Sequence, residues 1–336
     1  MIKMTVKIVT LLMASAMLLS LPSALAGCAC SAGGTWDPYA FLNYNPSQGV
    51  SSSSDGRSVL QDDYRSDEFT NGDLLRPMPS VSSSDTVLTI SGDGSDEGVY
   101  VKGALRLSRG SLVNQNGTLK SPEEIARALG SIGVDPSDRI VVYGDHLGDA
   151  ALGFLALKYV GHRDVSLLDG GVERWRSMGL PVQSTPSVRA EGVYIPDKQD
   201  LVATYDYVIS GEAQIVDARP FRDFGLSRIP GAIHIDSERL IDGDRIVDNA
   251  SLESLFAPLQ RGRPVVVYSE NPDQSSLVWF ALQLMGYNAT IYSWSDWISH
   301  TTTVNQNAPG ALGRSSSAVT GSEVTGSGSR YRKLGR

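Results

Sequence analysis

Cysteine is nearly missing from this chain. Among its 336 residues only Cys28 and Cys30 carry a thiol, both close to the N-terminus. A pair spaced this tightly is too strained for a structural disulfide. The rest of the chain therefore has no disulfide framework, no thiolate metal cage and no cysteine nucleophile. Histidine is scarce too: His146, His162, His234 and His300 are the four available as bases or metal ligands. No G-x-S-x-G elbow is present, which removes one common way of activating a serine. Basic clusters are lacking from the middle of the chain, and the formal net charge is −8. Such an acidic surface makes a poor nucleic-acid binder, and that class is set aside.

The start of the chain carries the clearest short-range signal. Lys3 and Lys7 precede an apolar run from Ile8 to Leu21, followed by small residues from Pro22 to Cys28. A charged start, a short apolar stretch and a small-residue cleavage site define a secretory signal, here residues 1–27. Leu25-Ala26-Gly27-Cys28 also resembles the lipobox of prokaryotic lipoproteins. The resemblance implies a lipid on Cys28 and a place on the outer face of a membrane, in the periplasm or at the cell surface. Plain cleavage after Ala26 is the alternative. Residues 28–84 are rich in Ser, Gly and Asp and read as a tether, although the aromatic start from Trp36 to Tyr44 offers a docking segment. Residues 301–336 read as a disordered tail with a basic end at Arg330, Arg332, Lys333 and Arg336.

Between these ends the chain is built around Val265–Gly286. Three valines and Tyr268 make a short buried-strand run, and Ser269–Gln274, with Pro272 inside it, fits neither strand nor helix. From Ser275 apolar residues recur at helical steps until Gly286, a C-cap. A strand that turns tightly into a helix N-terminus makes a cup of N–H groups suited to anions. The pattern occurs twice. Asp138–Tyr143 matches Gly262–Tyr268, each tyrosine is followed eighteen positions later by a glycine (Gly161 and Gly286), and Val101–Leu105 pairs with Ile229–Ile233. Helical stretches at Ser121–Leu129 and Ser251–Leu259 alternate with the β runs. The expectation is α/β: two tandem domains, each a mostly parallel sheet flanked by helices. Their boundaries are placed at residues 85–182 and 193–300, with 183–192 as linker.

The residues then carry a family resemblance. Leu168-Asp-Gly-Gly171 with Trp175 and Gly179–Val182, Asp217-Ala-Arg219, Arg228–Ile233 and the two Tyr-loop-helix segments together resemble rhodanese domains. Tyr292–Trp297 is a shortened form of the same ending. The likeness covers about Asp85 to His300 and is similar to tandem-rhodanese thiosulfate and mercaptopyruvate sulfurtransferases. It implies a cysteine opening a six-residue loop in the second domain, whose thiolate carries sulfur as a persulfide. Here that position is Ser269, and in the first copy it is Gly144. A serine hydroxyl is scarcely ionised and needs a neighbouring base. Glu270 and Asp273 would each oppose an anion by about 1 kcal/mol even in a water-like dielectric.

Three functional readings stay open. In the first the chain is a binding or scaffold module for an unidentified protein or small molecule, with no cofactor and no bound metal, using Ser269, Glu270, Asn271, Asp273, Gln274 and Ser275. In the second it transfers sulfur through Cys30. In the third, Asp145, His146 and Asp149, or Glu270 and Asp273, form a cation-binding or hydrolytic site. His234 is placed near the loop mouth or simply at a strand end. Asp217 and Arg219 are expected to pair beneath the loop, and Trp175, Trp279, Trp294 and Trp297 to lie in the core. Asn116, Asn249 and Asn288 begin glycosylation sequons.

Overall fold

The computed structural model describes residues 62–92 and 98–307, all within one unit, Ala40–Arg336. The expected signal segment, Cys28, Cys30, most of the expected tether and the basic end at 330–336 lie outside the described residues. No helix among the described residues is long and apolar enough to cross a membrane.

The first domain runs β1 (Leu75–Arg76), β2 (Asp85–Ser91), β3 (Tyr100–Val101), β4 (Leu105–Ser108), α1 (Pro122–Ser131), β5 (Arg139–Gly144), α2 (Leu147–Tyr159), β6 (Val165–Leu168), α3 (Val172–Ser177) and β7 (Val182–Gln183). Its main sheet is parallel throughout, in the order β1-β6-β5-β2-β4. The second domain runs α4 (Tyr205–Ile209), β8 (Gln214–Asp217), α5 (Phe221–Leu226), β9 (Ile233–His234), β10 (Ile241–Asp242), β11 (Arg245–Ile246), α6 (Asn249–Phe256), β12 (Val265–Ser269), α7 (Pro272–Leu284), β13 (Ala289–Ser293) and α8 (Trp294–Asn307). Its sheet, β13-β12-β8-β9, is also parallel. Val202 pairs with Ile291 outside β13, just as β1 pairs outside β6. Each sheet thus takes its edge from the segment that enters its domain.

Strands β2 and β12 are buried at every position, as parallel strands covered on both faces must be. Helices α2 and α7 are apolar almost all round, the pattern of helices enclosed by protein. They pack on each other: the Phe154 ring stands edge-on to Phe280 at 5.0 Å and lies 6.1 Å from Trp279. One core continues from the first domain through this contact into the second. Each such buried side chain contributes about 1.5–3 kcal/mol of hydrophobic stabilisation.

Several boundaries move. The tether read over residues 28–84 is folded from residue 62: Phe69, Leu75, Met78 and Val81 are buried, and β1 joins the sheet. These anchors sit irregularly among Ser, Asp and Gly, so no periodicity marks them. The segment bridges both domains. Arg65 binds Asp169 of the first, and the Asn71 side chain donates to the Gln283 carbonyl at 2.7 Å in the second. The linker is longer than 183–192. Its backbone hydrogen-bonds along the first domain (Gly192 to Gly130, Asp197 to Val160, Gln199 to Tyr159) until Val202 begins the second sheet. At the other end, α8 continues past residue 300 to Asn307, into the expected tail. Trp175, Trp279 and Trp294 are buried, but Trp297 is half-exposed against Tyr205.

Candidate functional site

The internal repeat extends to single hydrogen bonds. The Tyr143 hydroxyl accepts from the Val101 N–H at 3.2 Å, and the Tyr268 hydroxyl accepts from the Ile229 N–H at 3.1 Å. Each tyrosine holds a turn whose glycine, Gly103 or Gly231, has the positive φ that favours glycine. In the second domain the tyrosine also donates to Asp217, which Arg219 grips through Nε at 2.9 Å and Nη2 at 2.6 Å. The Arg219 guanidinium lies 4.0 Å from the centre of the Trp294 ring. Burial, then the bond to Asp217, pushes the Tyr268 hydroxyl far above its ordinary range. This buried Asp-Arg-Tyr-Trp assembly fixes the end of β12 from behind.

Pro272, read from sequence as a loop residue, is the first residue of α7, where its missing N–H and fixed φ suit a helix start. Ser269 is the last residue of β12 and pairs with Ser293. Only Glu270 and Asn271 lie between strand and helix, which corrects the six-residue irregular stretch Ser269–Gln274. Ser269 is 4% exposed. Its Oγ donates to the Asn271 carbonyl and accepts from the Ser275 N–H at 3.2 Å. The Asn271 side chain accepts from the Asp273 N–H at 3.2 Å, and its carbonyl accepts from the Gln274 N–H at 3.1 Å. The N–H groups that open α7 are therefore engaged within the chain. Glu270 is exposed, whereas Asp273 is bound by Arg109 of the first domain, through Nε at 3.1 Å and Nη2 at 2.9 Å. Ser275 is buried, with its hydroxyl donating to the Pro272 carbonyl at 3.2 Å.

Gly144 closes β5 in a space that admits no side chain. A Cβ there would stand 2.7 Å from the Ala150 nitrogen and 2.9 Å from the His146 carbonyl oxygen. Asp149, in the first turn of α2, has Arg109 Nε 3.7 Å away, but that guanidinium is turned to Asp273. Burial, and next the charge of Asp273, push the Asp149 carboxyl up to about 6. His234 is not a partner of Ser269. Its Nε2 is 2.8 Å from the Arg219 carbonyl oxygen and its ring stacks on Phe224. Among the described residues no three His, Cys, Asp or Glu side chains converge as metal ligands.

Two clefts open at the loop mouths, each completed by the other domain. One, of about 590 Å³, lies between Glu270–Pro272 and the segment Asn114–Gly117 of the first domain, with Arg109 and α8 residues Trp294 and Ile298 on its walls. The other, of about 310 Å³, lies between Gly144–Leu147 and a turn of the second domain at Gly243 and Asp244. The sequence marks Asn116 only as the start of a sequon and gives no site signal at Arg109, Asn114 or Gln115. The Asn-Gly step at 116–117 is a turn signal, but nothing in it says which loop the turn will cover.

With this geometry in view, the rhodanese-like domain family matches the chain twice, over residues 84–178 and 202–300. The chain belongs to that family. It is 29% identical over 210 residues to the sulfur carrier protein TtuD of Thermus thermophilus, covering 53% of this chain and 74% of that one. It is 29% identical over 205 residues to a thiosulfate sulfurtransferase of Corynebacterium glutamicum, covering 52% and 68%. Among solved structures it is similar in fold to the 3-mercaptopyruvate sulfurtransferase SseA of Escherichia coli, with a TM-score of 0.56 and 22% identity, over 62% of this chain and 91% of that one. It is likewise similar to an ergothioneine biosynthesis enzyme of Chlorobium limicola, with a TM-score of 0.61 and 19% identity, over 69% of each chain.

Proposed function

We propose that this chain is an exported, lipid-anchored rhodanese-like protein whose loop mouths bind a protein or small molecule, without cysteine-based sulfur transfer. In this reading Ser269 stands where sulfur-transferring relatives carry the loop cysteine, and Gly144 stands there in the first copy. The observation that supports it is the Ser269 hydroxyl, buried and bonded to Asn271 and Ser275, with no base hydrogen-bonded to it among the described residues. A hydroxyl so placed is neither ionised nor free to attack sulfur. Anchoring rests on Leu25–Cys28 and is tested by metabolic labelling with palmitate, expected in the wild type and absent from Cys28→Ser.

The names of the relatives favour a second reading, thiosulfate-type sulfur transfer, for which Cys30 is then the thiol. A thiosulfate:cyanide sulfurtransferase assay separates the two. The binding reading expects no turnover above background from the wild type or from Cys30→Ser. Turnover by the wild type that Cys30→Ser abolishes supports the second reading. Turnover that survives the substitution would sink both.

A further inference from the structure

The fold duplicates its cleft as well as its strands. We propose that the cleft of the first domain is a second binding site, one that takes a small organic cation with an apolar body. It lies outside the reading of Ser269, because none of its lining residues comes from the second loop.

Its position supplies the first argument. The larger cleft forms where the β12–α7 loop meets the other domain, and the smaller one forms where the β5–α2 loop meets the other domain. Both therefore stand beyond the C-terminal ends of parallel strands, where α/β sheets leave room for ligands. The smaller space, about 310 Å³, is within the size range of small-molecule sites.

The lining supplies the ligand class. Leu147, Leu168 and Ile241 give an apolar floor. Gly243, where a Cβ would meet nothing within 4 Å, leaves the backbone open to a ligand. Asp145, Glu238 and Asp244 stand at the exposed rim with His146, and among the described residues no Lys or Arg lines the space. Two of these carboxylates are held in place by backbone. Asp244 accepts from the Gly171 N–H at 2.8 Å, and Asp145 accepts from the Gly92 N–H at 3.3 Å. Of the arginines of the neighbourhood, Arg65 and Arg245 are bound to Asp169 and Arg109 to Asp273, while Arg174 packs behind Gly170 and is not a lining residue. Three carboxylates against one imidazole, over an apolar floor, select a positive charge attached to a hydrophobic body. A bare metal ion fits less well, since three donors do not converge among the described residues. The second-domain cleft is lined differently, by the amides of Asn114, Gln115, Asn116 and Asn271 with Arg109 offsetting Glu270, so the two clefts select different ligands.

Titration calorimetry on the full chain with three probes of equal shape tests this: phenethylamine, 2-phenylethanol and phenylacetate. The amine should bind saturably at millimolar concentration, the alcohol more weakly and the acid not at all. Asp145→Asn and Glu238→Gln should each weaken the amine about fivefold, the loss expected for one charge about 4 Å away in a water-like dielectric. Glu270→Gln, in the other cleft, should leave amine binding unchanged. Circular dichroism melts check that each variant folds, and either rim variant alone suffices. Equal binding of all three probes, absence of saturable amine binding, or a loss in Glu270→Gln instead of the rim variants would overturn the proposal.

Discussion

Arg109 of the first domain closes on Asp273 of the second, with Nη2 2.9 Å from Oδ2 and Nε 3.1 Å from Oδ1. The same guanidinium donates to the Asn271 side chain at 3.1 Å, so one residue neutralises and braces the start of α7.

Arg109→Ala should therefore destabilise the protein by about 1–2 kcal/mol, more than an exposed ion pair would, because Asp273 is left partly buried without its partner. Chemical denaturation measures this. A cycle with Asp273→Ala should show a coupling that shrinks as salt is added. A coupling of zero at low salt would rule out this bracing role.

Asp149 predicts a pH dependence of definite sign. Its carboxyl is raised to about 6 from the ordinary 3.8 by burial and by Asp273. The folded protein then holds the proton more tightly than the unfolded chain does. The stabilisation is complete below the ordinary value and fades as pH rises through about 6. Asp149→Asn should flatten this part of the profile and raise stability at neutral pH. Urea midpoints across the window decide it, and an unchanged slope would remove Asp149 as the cause.

Gly144→Ala should cost about 1–3 kcal/mol, since two of the three atoms its Cβ would strike are backbone atoms that cannot step aside. Gly192→Ala, whose Cβ would meet nothing within 4 Å, serves as the control and should be near neutral. Thermal unfolding of the pair makes the comparison. Equal melting temperatures would show that the end of β5 is looser than described.

Ser269→Cys introduces a thiol and changes little else. The side chain stays buried behind Asn271, Glu270 remains at the mouth, and the N–H groups of Asp273 and Gln274 stay bonded to Asn271. Little or no sulfur transfer is expected until Glu270 and Asp273 are also neutralised. Rapid cyanolysis of a persulfide on the single variant would show that the acidic loop is no barrier.

Much of the architecture was legible because it is written twice. Tyr143 and Tyr268, each eighteen residues before a glycine, announce two copies, and the valine run at 265–267 announces a buried parallel strand. Pro272 misled for a physical reason: the property that breaks a helix interior favours its first turn, and sequence alone does not say which applies. Residues 62–84 were missed because their anchors, Phe69, Leu75, Met78 and Val81, follow no period and take meaning only from the sheet edge they meet. The second wall of each cleft was illegible for a similar reason. Asn114–Gly117 is an ordinary polar turn until the other copy is set beneath it.

The rings of Phe154, Trp279 and Phe280 have made the two copies each other's solvent. Each supplies the oil in which the other's central helix dissolves. A chain severed after Gly192 would leave one fragment with a bare Phe154 and the other with bare Trp279 and Phe280. Mixed together, such fragments are expected to recombine rather than fold apart.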